Sequence, residues 1–201
     1  MNEKFFQLPK EKQLRIMNAG FRVFSENSYK KSPMSEIAAE ADISKSLLFF
    51  YFKNKKELYI FLMKTAEALT KKHLMESGCY QETDIFEMMY KGLISKVALM
   101  KKYPYMSKFA LKAYYEDDEE VKGELEKIIK PYTRLNTNKM IPNLDPKDYK
   151  DGLNLRLMYN DMYLASEGYV YRMQQEGEID IDKMSVEFRE MIDFWKSIYL
   201  K

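Results

Sequence analysis

Catalysis has little to work with in this sequence. His73 is the lone histidine and Cys79 the lone cysteine, and neither has partners at a spacing that would make a nucleophile–base pair or a zinc site. A Gly-rich phosphate loop and a nucleophile–His–acid set are also absent. Only carboxylate, tyrosine or lysine chemistry would remain, so the chain is not expected to be an enzyme, and no cofactor or metal is expected. The stretch Ser32–Glu57, SPMSEIAAEADISKSLLFFYFKNKKE, offers something else. Two short helical patterns flank a tight turn there, and lysines stand among hydroxyls and aromatic rings. Taken alone, Lys45 and Lys55 would be ordinary solvated charges.

Charge distribution gives these lysines a direction. Residues 1–56 hold 11 Lys+Arg against 6 Asp+Glu, a surplus of five. The other 145 residues hold 22 against 25, a deficit of three, which leaves the net charge of +2. A basic front and a mildly acidic rear suggest that the front meets a polyanion. No apolar run approaches the roughly 18 residues of a membrane span. The opening MNEKFFQLPKEK lacks the apolar core of a secretion signal. With a single cysteine excluding an intrachain disulfide, a cytoplasmic location is expected, with no membrane partner.

Only 7 glycines and 6 prolines among 201 residues favour long helices. Leu14, Met17, Phe21 and Phe24 mark a first helix over Pro9–Ser25 by their 3.6-residue period. Ser32 can cap a second, with Pro33 at its first position. Ser44 can cap a third to about Phe52, and Asn54 a fourth, with Glu57 in a capping-box relation. The fourth should run to Ser77-Gly78, where glycine can take a left-handed cap. Helical patterns continue from Glu82 to Lys102, from Pro104, and from Val121 to a break or kink at Pro131. NKMIPNLDPKD, residues 138–148, reads as a loop. Two helices, about 146–176 and 182–200, close the chain. No period-two alternation is found, so the fold is expected to be all-α.

If Met34 opens the second helix, a helix-turn-helix wants apolar or small residues at Ile37, Ala38, Ala41, Ile43 and Leu48, and all five are present. Asp42 stands where the backbone must turn left-handed, a conformation Asp tolerates better than most residues. The run IAAEADISKSLLFFYFKNKKEL resembles the signature of the TetR (tetracycline-repressor-like) family. Ile37, Ala38, Ala41, Ser44, Leu48, Tyr51, Phe52, Asn54, Lys55 and Leu58 match it. Asp42 replaces the usual Gly, Ser46-Leu47 a common Gly-Thr pair, and Phe49 the usual Tyr. The resemblance covers about residues 10–62.

That resemblance implies a three-helix DNA-binding unit at 1–54, followed by a larger helical effector-binding and dimerisation domain at 55–201. The chain would be a homodimeric repressor of a palindromic double-stranded DNA operator. Carried over by position, Ser35, Lys45, Ser46, Leu47, Phe49, Tyr51 and Lys55 should face DNA. Lys45 would reach a guanine edge or a phosphate, and Lys55 a backbone phosphate. Leu48 and Phe52 should be core, and Phe50 should pack against the first helix.

The rear region is rich in Tyr and Met, which suits an adaptable pocket for a small apolar or aromatic effector. Met89, Tyr105, Phe109, Tyr114, Tyr159, Met162 and Tyr163 are the candidate lining, although such residues at helical spacing also build ordinary cores. The acidic run Glu116–Glu120 is expected to cap the helix that follows. Ala165, Ser166 and Gly168, with the stripe Phe188, Ile192, Trp195 and Tyr199, make 146–176 and 182–200 the candidate dimer surface. The alternative to a ligand-responsive regulator is a helical DNA-binding or interaction protein without a small ligand.

Overall fold

Local signals in the sequence set most of the helix boundaries. The computed structural model describes residues 3–133, 144–176 and 180–201. Its helices are α1 (Lys10–Glu26), α2 (Met34–Glu40), α3 (Lys45–Tyr51), α4 (Lys55–Glu76), α5 (Ile85–Lys102), α6 (Met106–Tyr114), α7 (Lys122–Thr133), α8 (Leu155–Glu176) and α9 (Ile181–Tyr199). Short 3-10 turns lie at Glu3–Phe5, Cys79–Gln81 and Pro146–Asp148. Among the described residues there is no strand, only an isolated antiparallel bridge between Tyr149 and Leu200. The fold is all-α.

The Ser44 hydroxyl accepts the Leu47 N–H at 3.1 Å and starts α3. Asn54 Oδ1 accepts from Glu57 N–H at 2.8 Å, while the Glu57 carboxylate accepts from Lys53 N–H at 2.8 Å, so α4 opens on a reciprocal cap. Ser32 does not cap α2. Pro33 holds the cap position without a side-chain bond, and the buried Ser32 hydroxyl turns inward to donate to the Ser28 carbonyl at 2.9 Å. Gly78 takes the left-handed conformation, φ 72°, just beyond α4.

In the rear of the chain, α7 continues through Pro131 to Thr133. The expected loop at 138–148 lies largely outside the described residues, and its end forms the turn Pro146–Asp148. Helix α8 begins at Leu155, nine residues later than expected, because Gly152 turns left-handed at φ 78° and Asn154 Oδ1 accepts the Leu157 N–H at 3.1 Å.

The helices gather into two compact units, one of Met1–Leu69 with Lys102–Arg134, the other of Thr70–Lys101 with Leu135–Lys201. This packing cuts the chain differently from the functional division expected at residue 54. In the first unit Phe21 and Phe24 of α1 meet Phe109 of α6 at ring distances of 5.4 and 6.1 Å. Helix α4 crosses the same core, where Tyr59 lies 5.0 Å from Phe109. Gly20 lets α1 and α4 approach: a Cβ there would stand 2.6 Å from Leu62 Cδ1. Arg22 bonds Glu40 through Nε at 2.8 Å and Nη2 at 2.9 Å, and Glu26 through Nη1 at 2.8 Å, tying α1 to α2.

The second unit buries Phe86, Val97, Met158, Met162, Phe188, Ile192 and Trp195 in one cluster drawn from α5, α8 and α9. At its edge the Glu87 carboxylate accepts from Arg189 at 2.6 Å and Lys196 at 3.0 Å. These partners, the Arg189 bond foremost, hold the Glu87 carboxyl below the usual carboxylate range.

Candidate nucleic-acid interface

Helix α2 packs on α3 through Ile37, Ala38, Ala41 and Leu48, each no more than 2% exposed. Between the helices Asp42 adopts φ 50°, and the Ala38 carbonyl accepts the Ile43 N–H at 3.0 Å. A side chain larger than alanine at position 38 would press against this turn. Phe52, also fully buried, closes the far end of α3. The core positions of the helix-turn-helix fall as their spacing predicts.

What α3 leaves outside is the candidate reading face. Lys45, Ser46, Phe49 and Phe50 are exposed and Leu47 is half-buried. Lys45 Nζ lies 6.0 Å from the centre of the Phe49 ring, and the Ser46 and Ser44 hydroxyls are 3.0 Å apart. On one side of this face a surface groove of about 350 Å³ is lined by Lys30, Lys31, Ser35, Lys45, Phe49 and Lys55, among others. Ser35, Lys45, Phe49 and Lys55 are thus brought together at one groove, a cationic seat with a hydroxyl and an aromatic wall.

Two placements differ from expectation. Tyr51, expected to face DNA, is 5% exposed. The 3-10 turn Glu3–Phe5 covers it, with the Phe5 ring 6.0 Å from Tyr51 and 5.0 Å from Phe52. Phe50, expected against α1, is instead 46% exposed, with Lys4 Nζ 5.3 Å from its ring centre. Lys30 and Lys31 were not singled out in the sequence. Their only signal was adjacency in the connection before α2, and exposed lysines in connections are common.

Lys55 does more than await a phosphate. Its ammonium lies 4.5 Å from the Tyr29 ring centre and donates to the Lys30 carbonyl at 3.1 Å. Tyr29 is itself buried, its ring against Tyr59 at 5.1 Å, and its N–H donates to the Glu116 carboxylate at 2.9 Å. Burial, more than nearby acidic charge, pushes the Tyr29 phenol well above its ordinary pKa. The segment carrying Lys30 and Lys31 is therefore held from both ends. The acidic run is used for this and for its own turn: Asp118 Oδ1 accepts from Glu120 N–H at 3.0 Å.

The seven candidate effector residues are not gathered. Tyr105, Phe109 and Tyr114 belong to the first unit, and Met89, Tyr159, Met162 and Tyr163 to the second. Phe109 and Met162 are wholly buried in their cores, while Tyr114 is 49% exposed. Tyr159 and Tyr163 do pair, with rings 6.3 Å apart and Lys96 Nζ 5.4 Å from the Tyr163 centre. A separate groove of about 380 Å³ on the second unit is lined by His73, Glu76, Tyr90, Lys91, Ile94 and Ser95, among others. Composition revealed aromatic abundance but not which helix face each ring would occupy.

The last two helices also differ from expectation in the face they offer. Phe188, Ile192 and Trp195 are buried inside the second unit, and the Ser166 hydroxyl donates to the Met162 carbonyl at 2.6 Å. The apolar side chains left outside are Leu157, Leu164 and Tyr171 on α8, each seven residues from the next, and Val186, Phe194 and Ile198 on α9. Ala165 and Gly168 are exposed beside them. Among the described residues no helix is long and apolar enough to cross a membrane, and no cluster could hold a metal ion.

Comparison with known proteins agrees with this reading. Residues 16–60 match the family model of bacterial regulatory proteins, tetR family. The chain is 23% identical over 146 residues to the fatty acid metabolism regulator protein of Bacillus subtilis (strain 168), covering 73% of this chain and 75% of that one. A TetR family transcriptional regulator from Chloroflexus aurantiacus superposes with a TM-score of 0.68 at 18% identity, over 100% of this chain and 98% of the other. The transcriptional regulator FadR from Bacillus subtilis, solved in complex with stearoyl-CoA, superposes with a TM-score of 0.56 at 19% identity, over 89% and 96%. The helix-turn-helix of this chain, residues 16–60, therefore belongs to the tetR family of bacterial regulatory proteins, and the chain around it has the fold of that family's transcriptional regulators.

Proposed function

We propose that the protein is a homodimeric repressor that binds a palindromic operator through α3 and leaves it when a small, largely apolar effector binds. The observation that carries this reading is the exposed face of α3 beside a groove bearing Lys30, Lys31, Lys45 and Lys55. Phosphates seated in that groove would fix the register of α3 in the major groove, leaving Ser46, Leu47, Phe49 and Phe50 at base edges. Leu47 and Phe49 carry no hydroxyl, so contact with thymine methyls would replace hydrogen bonds at their positions. The outer stripes of α8 and α9 supply an apolar surface for a second copy, which would set two α3 helices about 34–36 Å apart for successive major grooves.

Release by an effector requires a ligand that binds better to a dimer geometry unfit for DNA. The Bacillus subtilis relative was solved with stearoyl-CoA, so a long-chain acyl thioester is the first effector to test. The scattering of the seven candidate lining residues between two units favours a second reading, a DNA-binding dimer that takes no small ligand. Anisotropy titration of labelled DNA flanking the protein's own gene, with and without stearoyl-CoA, tests both. Sequence-specific binding reversed by the thioester supports the first reading. Binding that no acyl thioester alters supports the second, and a folded dimer that prefers no sequence at moderate salt overturns both.

A further inference from the structure

The 3-10 turn Glu3–Phe5 lies ahead of the segment matched by the family model, and it is built onto the side of α3. Phe5 is wholly buried, with rings of Tyr51, Phe52 and Phe61 at 6.0, 5.0 and 5.3 Å. The Gln13 amide of α1 donates to the Phe6 carbonyl at 3.1 Å and the Leu8 carbonyl at 2.8 Å, which fixes the path of the chain between the turn and α1. Lys4 is thereby held at the protein surface, its ammonium 5.3 Å from the exposed Phe50 ring.

Lys45 and Phe50 are five residues apart, so they lie about 140° apart around the helix at 100° per residue. Lys45 and Phe49 border the four-lysine groove on one edge of the exposed arc. Phe50 borders Lys4 on the other. A helix seated in a major groove about 12 Å wide has a phosphate wall on each side. The four-lysine groove can serve only the wall on its own side.

We infer that Lys4 is a second, independent DNA-backbone contact, binding a phosphate of the strand opposite to the one held by Lys30, Lys31 and Lys55. It stands on the Phe50 ring, whose remaining surface packs against the adjacent sugar. This rests on the reading of α3 as the DNA-binding helix. An apolar plug, Phe5, does the anchoring, so the charged residue before it is presented at a constant position without itself being needed for folding.

The test is hydroxyl-radical footprinting of both strands of the bound operator, with salt titrations of affinity, for the whole chain and for Lys4→Ala, Lys4→Arg and Lys55→Ala. Lys4→Ala should lose protection of backbone sugars on one strand and Lys55→Ala on the other. Each should flatten the dependence of log affinity on log salt by about 0.9. Lys4→Arg should restore the footprint, and thermal unfolding of Lys4→Ala should match that of the unaltered chain. If the unaltered chain binds but Lys4→Ala keeps the full footprint and salt slope, the inference fails while the DNA reading stands. Loss on the same strand as Lys55→Ala also overturns it. If the unaltered chain gives no footprint, the DNA reading itself has failed.

Discussion

The Lys55 ammonium rests 4.5 Å above the Tyr29 ring while donating to the carbonyl of Lys30, the residue next to that ring. A lysine proposed to hold a phosphate is thus already ordered by the segment that presents two more lysines. Lys55→Ala should weaken DNA binding at every sequence and flatten the salt slope by about 0.9. It should also lower stability by about 0.5–1 kcal/mol through the lost cation–π contact. Anisotropy at several salt concentrations and urea unfolding measure the two effects separately. An unchanged slope would remove Lys55 from the phosphate contacts.

Asp42 offers a stability test at the turn between α2 and α3. Its φ of 50° is a conformation that a β-carbon disfavours. The Arg15 contact at 3.6 Å is too exposed to offset much of that cost. Asp42→Gly should raise the unfolding free energy by about 0.5–1 kcal/mol, and Asp42→Val should lower it by about 1–2 kcal/mol. Denaturant titration decides it; equal stability of the three chains would contradict the strain.

For the dimer, the informative residues are the outer ones. Leu164→Glu on α8 or Phe194→Glu on α9 places a charge on a side chain that is 69% or 60% exposed in one copy. Folding of a single copy should be little affected, and sedimentation should show a shift from dimer to monomer together with loss of operator binding. A dimer that persists in both variants would move the interface elsewhere.

Acid should loosen the second unit through Glu87. Its carboxyl titrates lower when folded than when unfolded, held chiefly by the Arg189 bond. A depressed carboxyl contributes stability above its unfolded pKa, and that contribution is lost as pH falls through the folded value. Glu87→Gln should therefore cost about 1 kcal/mol at neutral pH. The two chains should converge in stability once the pH lies below the folded value. Thermal unfolding across that range checks the convergence.

Legibility differed along the chain for physical reasons. The helix-turn-helix could be read because its steep crossing demands small or apolar residues at set intervals, and Ile37, Ala38, Ala41 and Leu48 meet that demand. Its caps, Ser44 and Asn54, act within three residues of their targets and so were visible locally. Tyr51 was misplaced because what covers it, Phe5, is 46 positions away and sits in a turn too short to show a period. The start of α8 was read too early because Pro146 is a good helix opener, yet Gly152 and Asn154 reset the chain. The Phe188–Trp195 stripe was read correctly as apolar, but periodicity cannot say whether a face meets its own subunit or another copy.

The absence of a side chain at Gly20 makes two distant positions into one unit of inheritance. Because Leu62 Cδ1 occupies the space that a β-carbon on residue 20 would need, any enlargement at 20 has to be accompanied by a trimming at 62. Relatives that keep this helix crossing should therefore change the two together, a glycine with a large partner or an alanine with a smaller one. In an alignment, that paired exchange would mark which chains seat α1 on α4 at this depth.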